Sequence, residues 1–270
     1  MQLTSFQDIT KSSRHIFLSP HFDDAVYSCG GTLAVQVSNG LRPLVITVFA
    51  GIPDQGLQLS PFAFEIHKMM GVSNMDAASI VAKRRQEDAN ALDYLHVDYL
   101  WLDYLDAIYR GEPNYYTEES HLIGGEVHPA DMRIDRQLAQ DLIALQERLP
   151  DTVWYVPLGV GQHVDHQIVA SAADRLVQRG ANVKFYEDFP YVLESDALEN
   201  RLNQLGGTLE PAYVEMSEML PQRIEAAELY TSQAELNFGS RAKLRQTMQD
   251  YTYSIRPVHT VHLERYWTTR

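Results

Sequence analysis

Short apolar runs rich in β-branched and aromatic residues recur along this chain between longer stretches of helical periodicity. No other feature limits its possible folds so much. The runs are His15–Pro20 (HIFLSP), Leu44–Ala50 (LVITVFA), Asp98–Leu102 (DYLWL), Thr152–Pro157 (TVWYVP) and Val183–Tyr186 (VKFY). Mostly apolar runs of this length suit strands covered on both faces, as in a parallel sheet. Helices are expected over Ala25–Val37, Ala77–Leu95, Ile134–Leu149 and Asp165–Gln178, with one or two more within Ile224–Tyr251. Ile80, Val81, Ala89, Leu92 and Leu95 fall at roughly helical spacing, and Leu138, Leu142 and Leu145 form one stripe. Strand–helix alternation of this kind predicts a layered α/β domain with a mostly parallel sheet and right-handed crossovers.

The chain has 270 residues, enough to bury about three quarters of its unfolded surface without a disulfide or metal staple. It shows no internal repeat, low-complexity tract or Pro/Gly/Ser-rich linker, so residues 1–270 are expected to form a single domain. Two long connections, at about 51–74 and 107–131, follow the second and third runs. Loops this long in a compact domain are usually functional or disordered. Both leave the carboxyl ends of expected strands, where open α/β sheets place ligands, so they are expected to be lids or substrate walls.

Charge narrows the partners. Lys plus Arg number 22 and Asp plus Glu 36, giving −14 at pH 7. That balance runs against binding nucleic acid or an anionic membrane surface. Residues 1–13 are polar, and no apolar run approaches the ~20 residues that span a bilayer. A cytoplasmic protein without membrane insertion is expected, and a homo-oligomer stays open. Cys29 is the single cysteine, which rules out an intramolecular disulfide and a thiolate-rich structural metal site.

Two constellations carry chemistry. Ser19-Pro20-His21-Phe22-Asp23-Asp24 stands where the first run ends, with Gly30-Gly31 behind it in the expected helix. His21 and Asp24, three apart, can converge on one point, and imidazole and carboxylate are both good zinc ligands. Asp23 between them projects differently and is free to act on a metal-bound water. A helix cap explains one of the two aspartates, but neither the other nor His21. Gly159-Val160-Gly161-Gln162-His163-Val164-Asp165-His166 follows the fourth run and opens the next helix. A parallel sheet can bring the two strand ends together. His21 and Asp24, with His163 or His166, then supply three ligands and leave a fourth position for water, which is the plan of a catalytic zinc site. Asp165 suits either orienting a histidine ring or capping the helix after it.

With these residues in view, SPHFDDAVYSCGG resembles the first signature of the PIG-L/LmbE-like zinc-dependent deacetylases, a His-Pro-Asp-Asp run followed by a Gly-Gly pair. GQHVDHQ resembles their second, His-Pro-Asp-His. Arg84-Arg85-Gln86-Glu87-Asp88-Ala89 resembles the family's Arg/Glu-rich helix, and Leu102-Asp103-Tyr104-Leu105-Asp106 its strand end finishing in Asp. The likeness runs from about His15 to Tyr186, with a weaker echo in Tyr230-Thr231-Ser232-Gln233. Phe22 and Val164 stand where the family usually has proline, and neither position supplies a ligand.

The resemblance implies a Rossmann-like three-layer α/β/α sandwich around one zinc ion. It implies hydrolysis of the N-acetyl group of an amino sugar or sugar conjugate, a small-molecule substrate. By the same resemblance His21, Asp24 and His166 match the zinc ligands and Asp23 the general base. His163 matches the histidine that stabilises the oxyanion or protonates the leaving amine. Arg84 and Asp106 match positions near the substrate or just behind the metal-binding residues.

Other residues have plainer readings. Arg84 and Glu87, three apart, suit an intrahelical pair. Tyr109, Arg110, Tyr115, Tyr116, His121 and His128 in the third-run loop suit either stacking on a sugar or packing on each other. Glu187 and Asp188 suit facing the site or binding a loop backbone. His67 is expected at the surface, and Cys29 packed. Two rival functions stand beside the deacetylase. Paired aspartates at a strand end can hold Mg²⁺ for phosphoester hydrolysis, although two histidines favour zinc over an ion that prefers oxygen. A non-catalytic binding module with a Rossmann-like core is the other. No Gly-x-Gly-x-x-Gly follows the first run, which speaks against a dinucleotide binder but not a sugar binder.

Overall fold

A computed structural model of the chain describes residues 1–72, 74–256 and 261–269; residue 73 of the expected 51–74 connection therefore lies outside the described residues. The middle layer is one eight-stranded sheet. Its strands are β1 (Gln2–Leu3), β2 (His15–Ser19), β3 (Leu44–Thr47), β4 (Asp98–Trp101), β5 (Val153–Pro157), β6 (Asn182–Tyr186), β7 (Leu209–Glu215) and β8 (Leu263–Thr269). The spatial order is β1-β4-β3-β2-β5-β6-β8-β7. β1 to β6 pair in parallel, while β8 pairs antiparallel with both β6 and β7. The five expected runs are β2 to β6.

The helices are α1 (Asp24–Ser38), α2 (Pro61–Met69), α3 (Ala77–Tyr94), α4 (Glu119–Leu122), α5 (Met132–Arg148), α6 (Val164–Val177), α7 (Ala197–Gln204), α8 (Leu220–Ala227), α9 (Thr231–Phe238) and α10 (Arg241–Ser254). They cover both faces of the sheet, and side chains alternate between two cores with the period of a strand. Phe17, Val45, Tyr99 and Tyr155 pack on the side of α1, α3 and α8. Ile16, Leu18, Leu44, Ile46, Trp154 and Val156 pack on the side of α5 and α6. Burial on both faces is why these runs read as continuously apolar.

The winding positions the site. From β2 the chain builds outward through β3 and β4, then returns to place β5 on the other side of β2, in the register Ile16 opposite Trp154 and Phe17 opposite Tyr155. The carboxyl ends of β2 and β5 thus flank the point where strand order reverses, the usual ligand crevice of an open α/β sheet. Both sequence constellations leave that edge.

The Gly30-Gly31 pair has a packing cause. Inside α1, the backbone N–H groups of Gly31 and Thr32 donate to the Glu264 carboxylate of β8 at 2.8 and 2.7 Å. Buried Arg223 pairs with Glu264 at 3.0 Å and donates to the carbonyl of Tyr27. A Cβ on Gly31 would lie 2.6 Å from Met216 Cγ and 2.8 Å from Glu264 Oε1, so glycine lets the C-terminal strand approach the helix.

Four expectations change. The stretch Ile224–Tyr251 holds parts of three helices, α8 to α10, not one or two. Gly239 ends α9 in a left-handed conformation (φ 73°), and the Ser240 side chain caps α10 by accepting from Lys243 N. The 51–74 connection contains α2, opened by the Ser60 cap and Pro61. The 107–131 connection contains α4 and two 3₁₀ turns. The antiparallel pair β7–β8 and the two-residue β1 carry no continuous apolar run and were not expected.

Candidate active site

β2 ends in a turn that its own side chains tie down. Ser19 Oγ accepts from Ala25 N at 2.9 Å and donates to the His21 carbonyl at 2.5 Å. The Asp24 carboxylate accepts from His21 N at 2.7 Å. Asp23 occupies the N-cap position of α1, yet its side chain makes no capping bond, so the carboxylate is free for another use. After β5, Gly159 (φ 81°) and Gly161 (φ 77°) take left-handed conformations that favour glycine, and the loop delivers His163 and His166 to the same edge. His163 caps α6, its Nδ1 accepting from Asp165 N at 3.1 Å.

The two constellations meet. Asp24 Oδ2 lies 3.2 Å from His21 Nδ1 and 3.2 Å from His166 Nε2. The His21 ring centroid is 4.8 Å from that of His163 and 5.4 Å from that of His166. His21, Asp23, Asp24, His163, Asp165 and His166 are all buried. Among the described residues, His21, His163 and His166 can offer atoms within 4.8 Å of one another to a metal ion, as can His21, Asp106 and Asp165.

Two carboxylates hold the rings from behind. Asp165 is 2.9 Å from His21 Nε2, accepts from Ala107 N at 3.1 Å and pairs with Arg110 at 2.6 Å. It therefore orients a histidine ring, while His163 caps the helix. Asp188, after β6, is 2.7 Å from His166 Nδ1 and accepts from Gly159 N and Val160 N at 2.7 and 2.9 Å. Sequence reasoning left Asp188 between facing the site and binding a loop backbone; it does both. A carboxylate behind each imidazole is the usual support of histidine ligands. The donors that remain fit a small cation. His166 Nε2 is buried with no well-formed hydrogen bond. The 3.2 Å separations match the edge of about 3.3 Å between two donors each ~2.0–2.1 Å from one tetrahedral ion.

The adjacent aspartates differ electrically. Burial pushes Asp23 up, and the neighbouring Asp24 charge adds to it against Arg84. Burial acts on Asp24 too, but His166 and His21 beside it hold its pKa well below the usual range. Burial drives the His163 pKa well below its ordinary value, which favours the neutral ring.

Arg84 turns toward the site and not along its helix, which overturns the intrahelical reading. It lies 3.4 Å from both Asp23 Oδ1 and Asp106 Oδ2, and Asp106 is 3.9 Å from His21 Nε2. Its guanidinium stacks 5.3 Å over Phe22, giving that residue a use where the family has proline. Glu87 instead accepts from Thr231 and Ser232. His67 is buried, not at the surface, and bonds Tyr109 Oη at 2.8 Å. The third-run loop packs on itself. Arg110 and Tyr116 both bond Asp131, at 2.9 and 2.8 Å, and His128 stacks on Tyr115 at 3.9 Å. Cys29 is buried and free.

A cavity of about 390 Å³ opens over the cluster. His21, Asp23, Asp24, Arg84, Asp106 and His163 are among its polar lining residues. Phe62, Ile66 and Met69 of α2, Leu122 of α4 and Leu236 of α9 form an apolar wall, so both long connections contribute to it. No described helix is long and apolar enough to cross a membrane.

Comparison with known proteins identifies relatives of the chain. The model of the PIG-L family, described as GlcNAc-PI de-N-acetylase, matches residues 16–177. A 2'-N-acetylparomamine deacetylase of Niallia circulans is 32% identical over 65% of this chain and 66% of its own. Its namesake from Streptomyces fradiae is 30% identical over 83% of this chain and 75% of its own. The crystal structure of the zinc-inhibited form of a teicoplanin deacetylase superposes with a TM-score of 0.76 at 29% identity, covering 94% of this chain and 97% of that one. Fold, site and relatives together define a hydrolase of N-acetyl amide bonds, with a site suited to a metal ion. The chain belongs to the PIG-L family.

Proposed function

We propose that the protein removes the acetyl group from an N-acetylated amino sugar or sugar conjugate, with zinc held by His21, Asp24 and His166, and that residues 1–270 act as one catalytic unit. The observation that carries this reading is the shared position of Asp24 Oδ2, 3.2 Å from a ring nitrogen of each histidine, whose opposite nitrogens rest on Asp165 and Asp188. Two imidazoles in the donor set favour zinc over the oxygen-seeking Mg²⁺ of a phosphoester hydrolase. When bound, zinc supplies Lewis acidity and a water acidified toward a pKa of about 7.

The chain's own residues supply the proton chemistry. Asp23, unused as a cap and raised by its surroundings, accepts a proton from the attacking water. Arg84, bridging Asp23 and Asp106, fixes the direction of that carboxylate. The water oxygen adds to the acetyl carbon, and the carbonyl pair moves onto oxygen. The C–N bond then breaks as the nitrogen takes the proton that Asp23 accepted from the water, and acetate and a free amine leave. His163 accepts Asp165 N–H at Nδ1, so a neutral ring carries its N–H on Nε2, a hydrogen-bond donor for the departing nitrogen. Curated relatives act on 2'-N-acetylparomamine and a structural neighbour on teicoplanin, so the screen begins with such N-acetyl conjugates.

Acetate release from that panel, assayed before and after chelation and again after restoring zinc or another divalent ion, tests the reading. Release that disappears with chelator and returns with metal supports it. Chelator-resistant release contradicts the metal's part in it, and release of phosphate from phosphoesters in place of acetate favours the rival hydrolase.

A further inference from the structure

Tyr191 opens the short turn after β6 and lies in the wall of the same cavity as Asp23, Asp24 and His163. Its ring stands edge-on to His166 at 5.4 Å and 85°, and 6.5 Å from His163. The fit around it is tight. A Cβ added to Gly161 would meet Tyr191 Cβ, Cγ and Cδ1 at 2.7 Å, so the loop that delivers His163 is moulded to this ring. Asp188 anchors both sides, taking the N–H groups of Gly159 and Val160 on its carboxylate and that of Val192 on its carbonyl.

Placed so firmly, the phenol is nonetheless unspent. Three buried phenols are committed, Tyr116 to Asp131, Tyr186 to the Leu18 carbonyl and Tyr230 to Asp88, while that of Tyr27 has no partner. A buried tyrosine hydroxyl usually finds such a partner. The Tyr191 hydroxyl makes no hydrogen bond among the described residues, and the residue is half-buried in the cavity wall. Amide hydrolysis makes two demands on donors, one at the oxygen that gains charge and one at the nitrogen that leaves. His163 has one N–H to give.

Resting on the deacetylase reading above, we propose that Tyr191 is a further catalytic residue: its hydroxyl donates a hydrogen bond to the acetyl oxygen as that atom becomes negative, leaving the His163 N–H for the amine. The donor is preorganised by the packing of Gly161 and Asp188, and a fixed donor at a developing oxyanion acts on the transition state more than on the bound substrate.

The test compares wild type with Tyr191→Phe, both metal-loaded, on a substrate that wild type deacetylates, so that the reading of the site is established by wild-type turnover itself. Loss of the hydroxyl alone is expected to lower kcat by about a hundredfold with KM within a few-fold, the scale of a lost oxyanion donor. Affinity for methylphosphonate, a tetrahedral anion, should fall as well when measured by calorimetry, with metal content and melting temperature unchanged. Wild-type kcat in Tyr191→Phe, equal methylphosphonate affinity, a rise in KM alone, or loss of metal or folding each overturns the proposal.

Discussion

Asp23 and Asp24 show how much one peptide bond can separate two identical side chains. Asp24 points between two imidazoles and is stabilised as an anion, while Asp23 faces that charge from a buried position and is held partly back from ionising. Two carboxyl groups driven apart in this way are a common mark of divided labour in a site. Another buried carboxylate behaves differently. Asp88 accepts from Tyr230 Oη and Trp101 Nε1, both at 2.7 Å, yet burial raises its pKa to about 7. A folded-state pKa above the unfolded one contributes stability at low pH that is lost as pH climbs through the folded value. Asp88→Asn, neutral throughout, should therefore gain in melting temperature relative to wild type between about pH 4 and pH 8. A difference that stays constant over that range would count against this account of Asp88.

At the scale of elements, α3 joins two halves of the site. Arg84 reaches Asp23 and Asp106. One turn later, Glu87 accepts from Thr231 Oγ1 at 2.5 Å, Ser232 N at 3.1 Å and Ser232 Oγ at 2.6 Å. Tyr230, the N-cap of α9, offers no side-chain cap, so Glu87 caps α9 from another helix, with its negative charge at the positive end. That helix carries Gln233 and Leu236 into the cavity wall. Glu87→Ala removes the cap and leaves the Thr231 and Ser232 hydroxyl hydrogens without their acceptor. It should cost about 1–3 kcal/mol, read as a drop of several degrees in melting temperature, with Glu87→Gln recovering part of it. An unchanged melting temperature in Glu87→Ala would show the cap to be dispensable. The same helix marks a limit of sequence reading. Arg84 and Glu87 sit at a spacing that suits a local pair, and only the tertiary structure reveals that each has a distant partner. α2 was hidden for a related reason, since its apolar residues serve a cavity wall and not a core stripe.

For the whole molecule, what the sequence displayed best was what burial on two faces enforces. β2 to β6 are continuous apolar runs because helices cover both sides of them. β7 and β8 stand at the sheet margin, and their mixed composition (LEPAYVE and LERYWTT) hid them. The His and Asp residues of the two constellations were legible because they follow strands that meet at the reversal of strand order, and the resemblance to a known family added their expected roles. Asp188 and Tyr191 were harder to find, since no short motif surrounds them and their meaning comes from His166 and Gly161 across the edge. The charge of −14 takes on a local meaning in this setting. Asp24, Asp165 and Asp188 are acidic residues enclosed with histidines, an arrangement that a bound cation would complete.

The central claim is that Asp23 performs chemistry beside a metal that its neighbours hold. The direct measurement is zinc content and acetate release in the same sample of Asp23→Ala, set against wild type. The account predicts wild-type zinc stoichiometry with release reduced by about 10²–10⁴-fold, the usual contribution of a general base. Acetate release near the wild-type rate from Asp23→Ala would contradict it.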